Sequence, residues 1–375
     1  MASNSKRKPA AGPAATPWEE FAAVSRAALT PPGKRVAKSR RKRGTPGAAV
    51  KGTQSLAQAT TQALRLGRAQ ADWVVTRRQE QAAGRARAVA AAKALSRKTG
   101  KTSARKTVAK KAAAKTGAAA ATSGSRGVLV AEGDSWFDYP FYDVLQKLDD
   151  DHGWDIEHVA HRGDSVESMA YDGGQLDDFV RAIERVVRRG QSPHAILVSG
   201  GGNDVAGDAF AMLLNHRSSP MFGLNAAVVE GVLATRVRVA YTTVLAAVTA
   251  TCDTLLGTRV PILLHGYDYP VPDGRGVLGG WGWLPGPWLE PGFREKGYDD
   301  LAERIGIARD LIDRFYAMLA AVVATPAFGH VQLIDLRNTL STDLTNSRYR
   351  DWWGNEMHPT RQGFGRVADR FDARL

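Results

Sequence analysis

The stretch "LVAEGDSWFDYP", residues 129–140, decides the fold of this chain. Its first residues suit a strand that is buried on both faces of a sheet. The strand ends in Gly133-Asp134-Ser135, a group of turn-forming residues, and aromatic residues follow directly. The pattern predicts a small hydroxyl side chain at the carboxyl end of a buried strand.

An alternation of strands and helices continues from this stretch to the end of the chain. Apolar runs that end in turn residues alternate with amphipathic stretches, such as "QLDDFVRAIERVVRRG" (175–190), which stops at a glycine. Strands joined by helices of this length imply crossover connections and a parallel sheet covered on both faces. We therefore predict an α/β fold with five parallel strands, which lie within "GVLVAEG" (127–133), "WDIEHVAHRGDS" (154–165), "HAILVSGGGNDV" (194–205), "VPILLHGYDYP" (260–270) and "VQLIDLRN" (331–338).

Three candidate site residues fall just past the carboxyl ends of predicted strands, where α/β sheets bind their ligands: Ser135, Gly163 and Asn203. A serine hydroxyl becomes a good nucleophile only when a base lies within hydrogen-bonding reach and donors stabilise the oxyanion that forms. The backbone amides of Ser135 and Gly163 and the side-chain amide of Asn203 are candidate donors. His358, which precedes Pro359 at the start of the last predicted helix, is the candidate base.

These residues carry a resemblance to a known family. "GDS" (133–135), Gly163, "GGND" (201–204) and "HP" (358–359) occur in the order of the four sequence blocks of the SGNH hydrolases, also called GDSL-type esterases. The resemblance covers residues 127–375. "GGND" after an apolar strand is moderately specific, the other motifs are weak alone, and the ordered set is strong.

The resemblance implies a flavodoxin-like three-layer α/β/α fold and a serine acyl-enzyme mechanism. Ser135 would be the nucleophile and His358 the general base, and the oxyanion hole would comprise Ser135, Gly163 and Asn203. Members of the family hydrolyse esters, thioesters, acetylated sugars or lipids, usually without a metal, so we expect no cofactor.

One position departs from the family pattern. The family usually has Asp three residues before the histidine, whereas "NEMHP" places Asn355 there. An amide oxygen can fix the imidazole tautomer, but it cannot stabilise imidazolium with a full charge. Either Asn355 orients His358, or Asp351 supplies a carboxylate from the preceding turn, or the site is impaired; Asp268 is a more distant candidate.

A loop rich in Gly, Pro and Trp, residues 266–297, follows the fourth predicted strand. A loop of this length within a compact domain is usually functional, so we expect a wall or lid over the pocket, or else an aromatic cluster that only holds the loop down. Indole rings suit acyl chains and sugar rings alike. The candidate substrate-binding residues are Trp136, His265, Tyr267, Trp281, Trp283 and Trp288.

The charge of the chain divides sharply near residue 126. Residues 1–126 carry 28 Lys and Arg against 4 Asp and Glu, whereas the remainder carries 23 against 34. We predict a disordered basic arm over 1–125, with possible short helices in "TPWEEFAAVSRAAL" (16–29) and "TQSLAQATTQALRLGRAQADWVVTRRQEQ" (53–81), and a catalytic domain over 126–375. The arm resembles lysine- and alanine-rich linker-histone-like tails in composition only. Non-specific binding of nucleic acid or of an anionic surface would follow from its charge.

The only cysteine is Cys252, which excludes an intrachain disulfide and suits a reducing compartment. No secretory signal is evident, and the most apolar stretch, from Val239, contains threonines and Asp253 and favours a buried helix, so we expect a cytoplasmic protein without a transmembrane segment. Two other interpretations stay open. One is a polyanion- or granule-associated binding protein with an impaired hydrolase-like domain, and the other is an enzyme that acts on lipids or polymers at an anionic surface.

Overall fold

A five-stranded parallel sheet forms the centre of the protein in the computed structural model, which describes residues 55–99, 124–172, 174–277 and 285–375. In chain order the strands are β1 Val128–Glu132, β2 Asp155–His158, β3 Pro193–Val198, β4 Leu214–Asn215, β5 Gly223–Leu224, β6 Ile262–His265 and β7 Val331–Ile334. The sheet order is β2-β1-β3-β6-β7, and the predicted five parallel strands are confirmed. A separate antiparallel pair, β4-β5, was not predicted.

Helices cover both faces of this sheet, as the predicted three-layer fold requires. The α-helices of the described residues are α1 Leu56–Thr99, α2 Val144–Asp150, α3 Val166–Tyr171, α4 Gln175–Arg188, α5 Gly202–Val205, α6 Ala226–Glu230, α7 Arg238–Leu256, α8 Glu290–Glu295, α9 Leu301–Val323 and α10 Arg361–Asp372. On one face α2 packs against α10, and on the other α7 contacts α4 and α9. Every residue of β1 is buried because β2 and β3 pair with it on both sides and helices cover both faces of the sheet.

The most apolar helix is a core helix that runs from α6 into α7 through a π-helical segment, Gly231–Val237. Among the described residues this stretch, Ala226–Leu256, is the one helix long and apolar enough to cross a membrane by length and composition. Of the 18 most apolar consecutive residues in this stretch, 67% are buried within the protein. The hydroxyls of Thr242, Thr243 and Thr251 donate to carbonyls four residues earlier, which satisfies these polar groups within the helix.

The N-terminal half of α1 lies where a possible helix over 53–81 was predicted, but it packs against α7 and is not part of a disordered arm. Ser55 caps the helix, since its hydroxyl accepts from the Gln58 N–H while its own N–H donates to the Gln58 side chain. Gly67 brings the two helices so close that a Cβ there would lie 2.3 Å from the Thr243 carbonyl oxygen. Ser55–Leu375 accordingly form one compact unit, which starts well before the predicted boundary at residue 126.

The C-terminal half of α1 extends away from this contact. Residues 79–91 are exposed apart from half-buried Ala82. The predicted helix at 16–29 and the basic run at 100–123 lie outside the described residues.

Candidate active site

Ser135 and His358 meet at the carboxyl edge of the sheet. Ser135 follows β1 directly, and His358 lies in the segment that leads into α10. The Ser135 Oγ lies 2.7 Å from the His358 Nε2. Ser135 is partly exposed whereas His358 is buried, so the hydroxyl faces the accessible side of the pair.

Asn355 fixes the orientation of the imidazole. Its Oδ1 accepts from the His358 Nδ1 at 3.0 Å, from the His358 backbone N–H at 2.9 Å and from the Met357 N–H at 3.0 Å. Its Nδ2 donates to the Tyr139 hydroxyl at 3.0 Å. With three N–H groups directed at one oxygen, the amide cannot rotate without losing them, so the proton of His358 lies on Nδ1 and Nε2 is free to accept from Ser135.

The imidazole of His358 is kept neutral by its surroundings. The Tyr139 ring stacks on it at 4.4 Å between centroids, and the Trp288 ring meets it edge-on at 5.2 Å. Burial between these rings lowers the pKa of His358 to about 3. Asn355 carries no charge that would offset this desolvation.

Neither of the other two candidate orienting residues contacts His358. Asp351 is exposed, and its backbone carbonyl accepts from the Thr360 hydroxyl at 2.7 Å. The buried carboxylate of Asp268 accepts from the N–H groups of Asn338 and Leu340, which ties two loops together. The predictions of Asp351 and Asp268 as orienting residues are therefore corrected: the turns that carry them direct both carboxylates elsewhere.

Asp134 anchors the turn that presents Ser135. Its fully buried carboxylate accepts from the Ser199 hydroxyl at 2.8 Å, from the Trp136 N–H at 3.0 Å and from the Tyr267 hydroxyl. The Tyr267 oxygen in turn accepts from the Gly202 N–H at 3.0 Å. Burial raises the pKa of Asp134 in spite of these bonds.

The candidate oxyanion donors belong to loops that are bound to this turn. The His161 N–H donates to the Gly133 carbonyl at 2.9 Å, which sets the Gly163 loop beside Ser135. Asn203 Nδ2 donates to the Asp164 carbonyl at 2.8 Å, and among the described residues its second hydrogen has no acceptor. In the described part of the chain, the Ser135 and Gly163 N–H groups donate to no other residue. Gly163 has a φ of 90°, which favours glycine.

Glu356 is a residue of this site that the sequence analysis missed. It is fully buried next to Asn355, and its carboxylate accepts four backbone N–H groups from the two ends of the aromatic loop. Oε1 accepts from Gly274 and Glu290, both at 3.0 Å, and Oε2 accepts from Trp288 at 2.7 Å and Leu289 at 2.9 Å. Glu356 thereby holds Trp288 against His358. A lone acid within the aromatic segment "WWGNEMHP" was the signal for it.

Glu132, at the end of β1, is a second missed residue. It is 1% exposed, and burial together with nearby Asp164 raises its pKa to about 9. The carboxyl group is therefore protonated at neutral pH. In sequence it resembles any polar residue at a strand end, so its burial was not predictable.

The structure places the predicted substrate-binding residues in different surroundings. Trp288 lies against His358, while Trp136 and Tyr267 line an apolar cavity. His265 has no exposed surface and packs among Trp136, Phe137, Tyr267 and Phe371, so its prediction as a pocket residue is corrected. Burial lowers its pKa to about 4, and it belongs to the core because β6 is covered on both faces. Trp281 and Trp283 lie outside the described residues.

The structure brings Ser135 and His358, from the first and last motifs of the resemblance noted above, within hydrogen-bonding distance. No family model and no curated protein sequence matches the chain. Structural neighbours include Axe2, an acetylxylan esterase from Geobacillus stearothermophilus (14% identity, 66% of this chain and 93% of that chain, TM-score 0.31). Others are LAE5, an alpha/beta hydrolase enzyme from the metagenome of Lake Arreo (14%, 67% and 95%, 0.35), and a suspected SGNH hydrolase from Slackia heliotrinireducens (11%, 66% and 97%, 0.36).

Proposed function

We propose that this protein is a serine ester hydrolase that acts through an acyl-enzyme. The observation that carries the proposal is the chain of contacts from Ser135 Oγ to His358 Nε2 and from His358 Nδ1 to Asn355 Oδ1. A neutral imidazole with its free lone pair on a serine hydroxyl is the arrangement that nucleophilic catalysis requires.

In the first half of the reaction the Ser135 Oγ attacks the ester carbonyl carbon while its proton passes to His358 Nε2. The carbonyl electron pair moves to oxygen, which the N–H groups of Ser135 and Gly163 and the Asn203 amide stabilise. The oxyanion then collapses and breaks the bond to the alcohol, which leaves with the proton from His358. The acyl group remains on Ser135.

In the second half water replaces the alcohol. His358 takes a proton from the water as its oxygen bonds to the acyl carbon, and collapse of the second oxyanion breaks the bond to Ser135. The serine regains its proton from His358, and the carboxylic acid leaves. Asn355 holds the ring throughout, and its neutral amide supports the transient imidazolium less than a carboxylate would.

Hydrolysis of p-nitrophenyl acetate by the full chain and by Ser135→Ala tests this proposal. We expect the variant to lose at least about 10³-fold in kcat with an unchanged melting temperature, because only the nucleophile is removed. Ser192→Ala, at an exposed serine before β3, is the matched control and should turn over normally. Equal rates in Ser135→Ala and wild type would refute the nucleophile, and the binding-protein interpretation would then stand.

We propose as a second property that the basic segment binds polyanions. From Arg85 to Arg126 the sequence contains twelve Lys and Arg and no Asp or Glu. Such a segment gains affinity for nucleic acid by releasing counterions, so binding should weaken steeply with salt. We expect retention on double-stranded DNA at 50 mM salt and loss at 500 mM. Retention that is the same at both salt concentrations would contradict an electrostatic contact.

A further inference from the structure

Glu132 is the last residue of β1, three positions before Ser135, and its buried carboxyl group has few partners. Its Oε1 accepts one backbone N–H, that of Gly133, at 3.1 Å. Its Oε2 has no hydrogen-bond partner among the described residues, where Glu132 also forms no ion pair. The buried carboxylate of Glu356, by contrast, accepts four backbone N–H groups. A buried carboxylate with a single donor is costly, so the fold holds Glu132 in its protonated form.

A second carboxyl group, that of Asp164, lies near Glu132 in the loop that carries Gly163. Asp164 Oδ2 accepts from the Gln175 side-chain amide, which also lies beside Glu132. Burial, followed by the charges of Asp164 and Asp178, raises the pKa of Glu132 to about 9. Two carboxyl groups this close to each other cannot both ionise without repulsion. Asp164, the more exposed of the two, therefore carries the charge, and Glu132 carries the proton.

The other titratable groups around this pair do not neutralise Glu132. His161 is exposed in the same loop, and its Nδ1 lies 3.6 Å from Asp164 Oδ1, so it acts on Asp164. The Asp134 carboxylate accepts from the Ser199 hydroxyl at 2.8 Å. Ser199, which follows β3, presents only its backbone N–H to Glu132 and donates to its carbonyl at 3.1 Å. None of these groups is bonded to the Glu132 carboxyl group.

Asp164 is linked to two of the candidate oxyanion donors. It follows Gly163 directly, so a shift of its backbone moves the Gly163 N–H. Its carbonyl accepts from the Asn203 Nδ2 at 2.8 Å. A displacement of Asp164 away from Glu132 would therefore move one donor and break a hydrogen bond that orients the other.

We propose that Glu132 is a positioning residue of the oxyanion hole: its neutral carboxyl group keeps the loop of Gly163 and Asp164 aligned with Ser135, and its ionisation repels Asp164 and displaces that loop. The inference rests on the proposed hydrolase function, because the loop matters to turnover only where an oxyanion forms. Below about pH 9 the carboxyl group is protonated, and above this pH it is charged. The kcat/KM of wild type should therefore decline as the pH rises through about 9.

Glu132→Gln tests this role, because the amide keeps the shape of the side chain and an acceptor for the Gly133 N–H but has no proton to lose. The measurement is kcat/KM of the full chain on p-nitrophenyl acetate at pH 8 and pH 10, corrected for spontaneous hydrolysis. A group that titrates at about pH 9 predicts a fall of about tenfold between these two values in wild type. We expect the same fall in Glu295→Gln, at an exposed acid in α8, and a fall of less than about twofold in Glu132→Gln.

The melting temperatures of wild type and Glu132→Gln, measured from pH 5 to pH 9, test the buried proton independently of turnover. The pKa of Glu132 is about 9 in the folded protein against an ordinary value of 4.5, so the folded chain holds a proton that the unfolded chain releases. The stability of wild type therefore falls with rising pH across this window, whereas the variant has no such contribution. We expect the difference in melting temperature, variant minus wild type, to grow steadily from pH 5 to pH 9.

A decline of kcat/KM that is present in wild type and absent in Glu132→Gln supports the inference, and misfolding cannot produce it. Equal ratios of kcat/KM at pH 10 and pH 8 in the two proteins, with turnover intact, overturn the positioning role and leave the hydrolase standing. A difference in melting temperature that does not change with pH also overturns it, since Glu132 would then hold no buried proton. Absence of turnover by wild type at both pH values overturns both proposals.

Discussion

The carboxyl edge of the sheet and the interface between α1 and α7 are both buried, but they hold opposite kinds of side chain. At the edge, Asp134, Glu356 and His358 are removed from water and held by hydrogen bonds. At the interface, Gly67 lies against Thr243, and small apolar residues such as Val74 fill the contact. Buried ionisable groups cost stability unless they are fully bonded, whereas apolar contacts stabilise directly.

This difference separates function from stability within one compact unit. The edge orients reactive groups at the expense of desolvating them, as the raised pKa of Asp134 and the lowered pKa of His358 indicate. The interface covers the most apolar helix of the protein and carries no catalytic group. Substitutions at the edge should therefore change turnover, and substitutions at the interface should change stability alone.

Glu356→Gln should have a large effect on turnover. The amide offers one oxygen to four N–H donors, so one end of the aromatic loop loses its acceptor and Trp288 is released from His358. We expect kcat/KM to fall about thirtyfold, equivalent to about 2 kcal/mol. The control is Glu295→Gln, at an exposed acid in α8. A lower melting temperature with unchanged kcat/KM would make Glu356 a purely structural residue.

Asn355→Asp should raise kcat/KM about tenfold near pH 8, because a carboxylate stabilises imidazolium better than an amide does. The same charge raises the pKa of His358 from its value of about 3. A base must be neutral to act, so wild-type kcat/KM should stay level down to about pH 5 while that of the variant declines below about pH 6.5.

The pH dependence of kcat/KM, measured for wild type, Asn355→Asp and Asp351→Asn, tests this role of residue 355. Asp351 is exposed, and among the described residues its side chain makes no hydrogen bond to His358. Its replacement should therefore leave the pH profile of kcat/KM unchanged. A changed decline of kcat/KM at acid pH in Asp351→Asn would contradict the orienting role of Asn355. So would an Asn355→Asp variant with the same kcat/KM and pH profile as wild type.

Gly67→Leu should change stability without changing turnover. The added side chain meets the backbone of α7, and overpacking of this kind costs about 1 to 3 kcal/mol. Thermal unfolding and kcat/KM are measured on the same preparations. Gly84→Leu is the matched control, because nothing lies within 4 Å of a Cβ there and a better helix former should stabilise α1 slightly. A large loss of kcat/KM in folded Gly67→Leu would show that α1 reaches the active site.

The periodicity of the sequence was sufficient to predict the sheet and to place Ser135 at its carboxyl edge. It did not place His358, which follows no strand directly and was predicted from its motif before the last helix. The composition predicted a possible helix over 53–81 but was misleading for the packing of α1. Alanine and arginine dominate that region, and the few apolar residues that face α7 do not stand out as a stripe. Their partners lie more than a hundred residues away, so local patterns carried no sign of the contact.

Glu356 was missed because it is bonded only to backbone N–H groups, which leave no trace in the identity of the residues that carry them. Its place within the aromatic segment "WWGNEMHP" was the one sign of it in the sequence. The choice between Asn355 and Asp351 depended on the turn at 345–354, where Asn346 and Ser347 have positive φ values. Neither residue type signals such a turn strongly, so the direction of the two side chains became visible only in the structure.

The most direct test of the central claim is covalent labelling of the full chain with a fluorophosphonate, followed by mapping of the modified residue. An activated serine attacks phosphorus and displaces fluoride, whereas an ordinary serine does not react. We expect one adduct on Ser135, none in folded His358→Ala and an unchanged adduct in Asp351→Asn. Labelling of another serine, or no labelling of folded wild type, would contradict the role of Ser135 as the nucleophile.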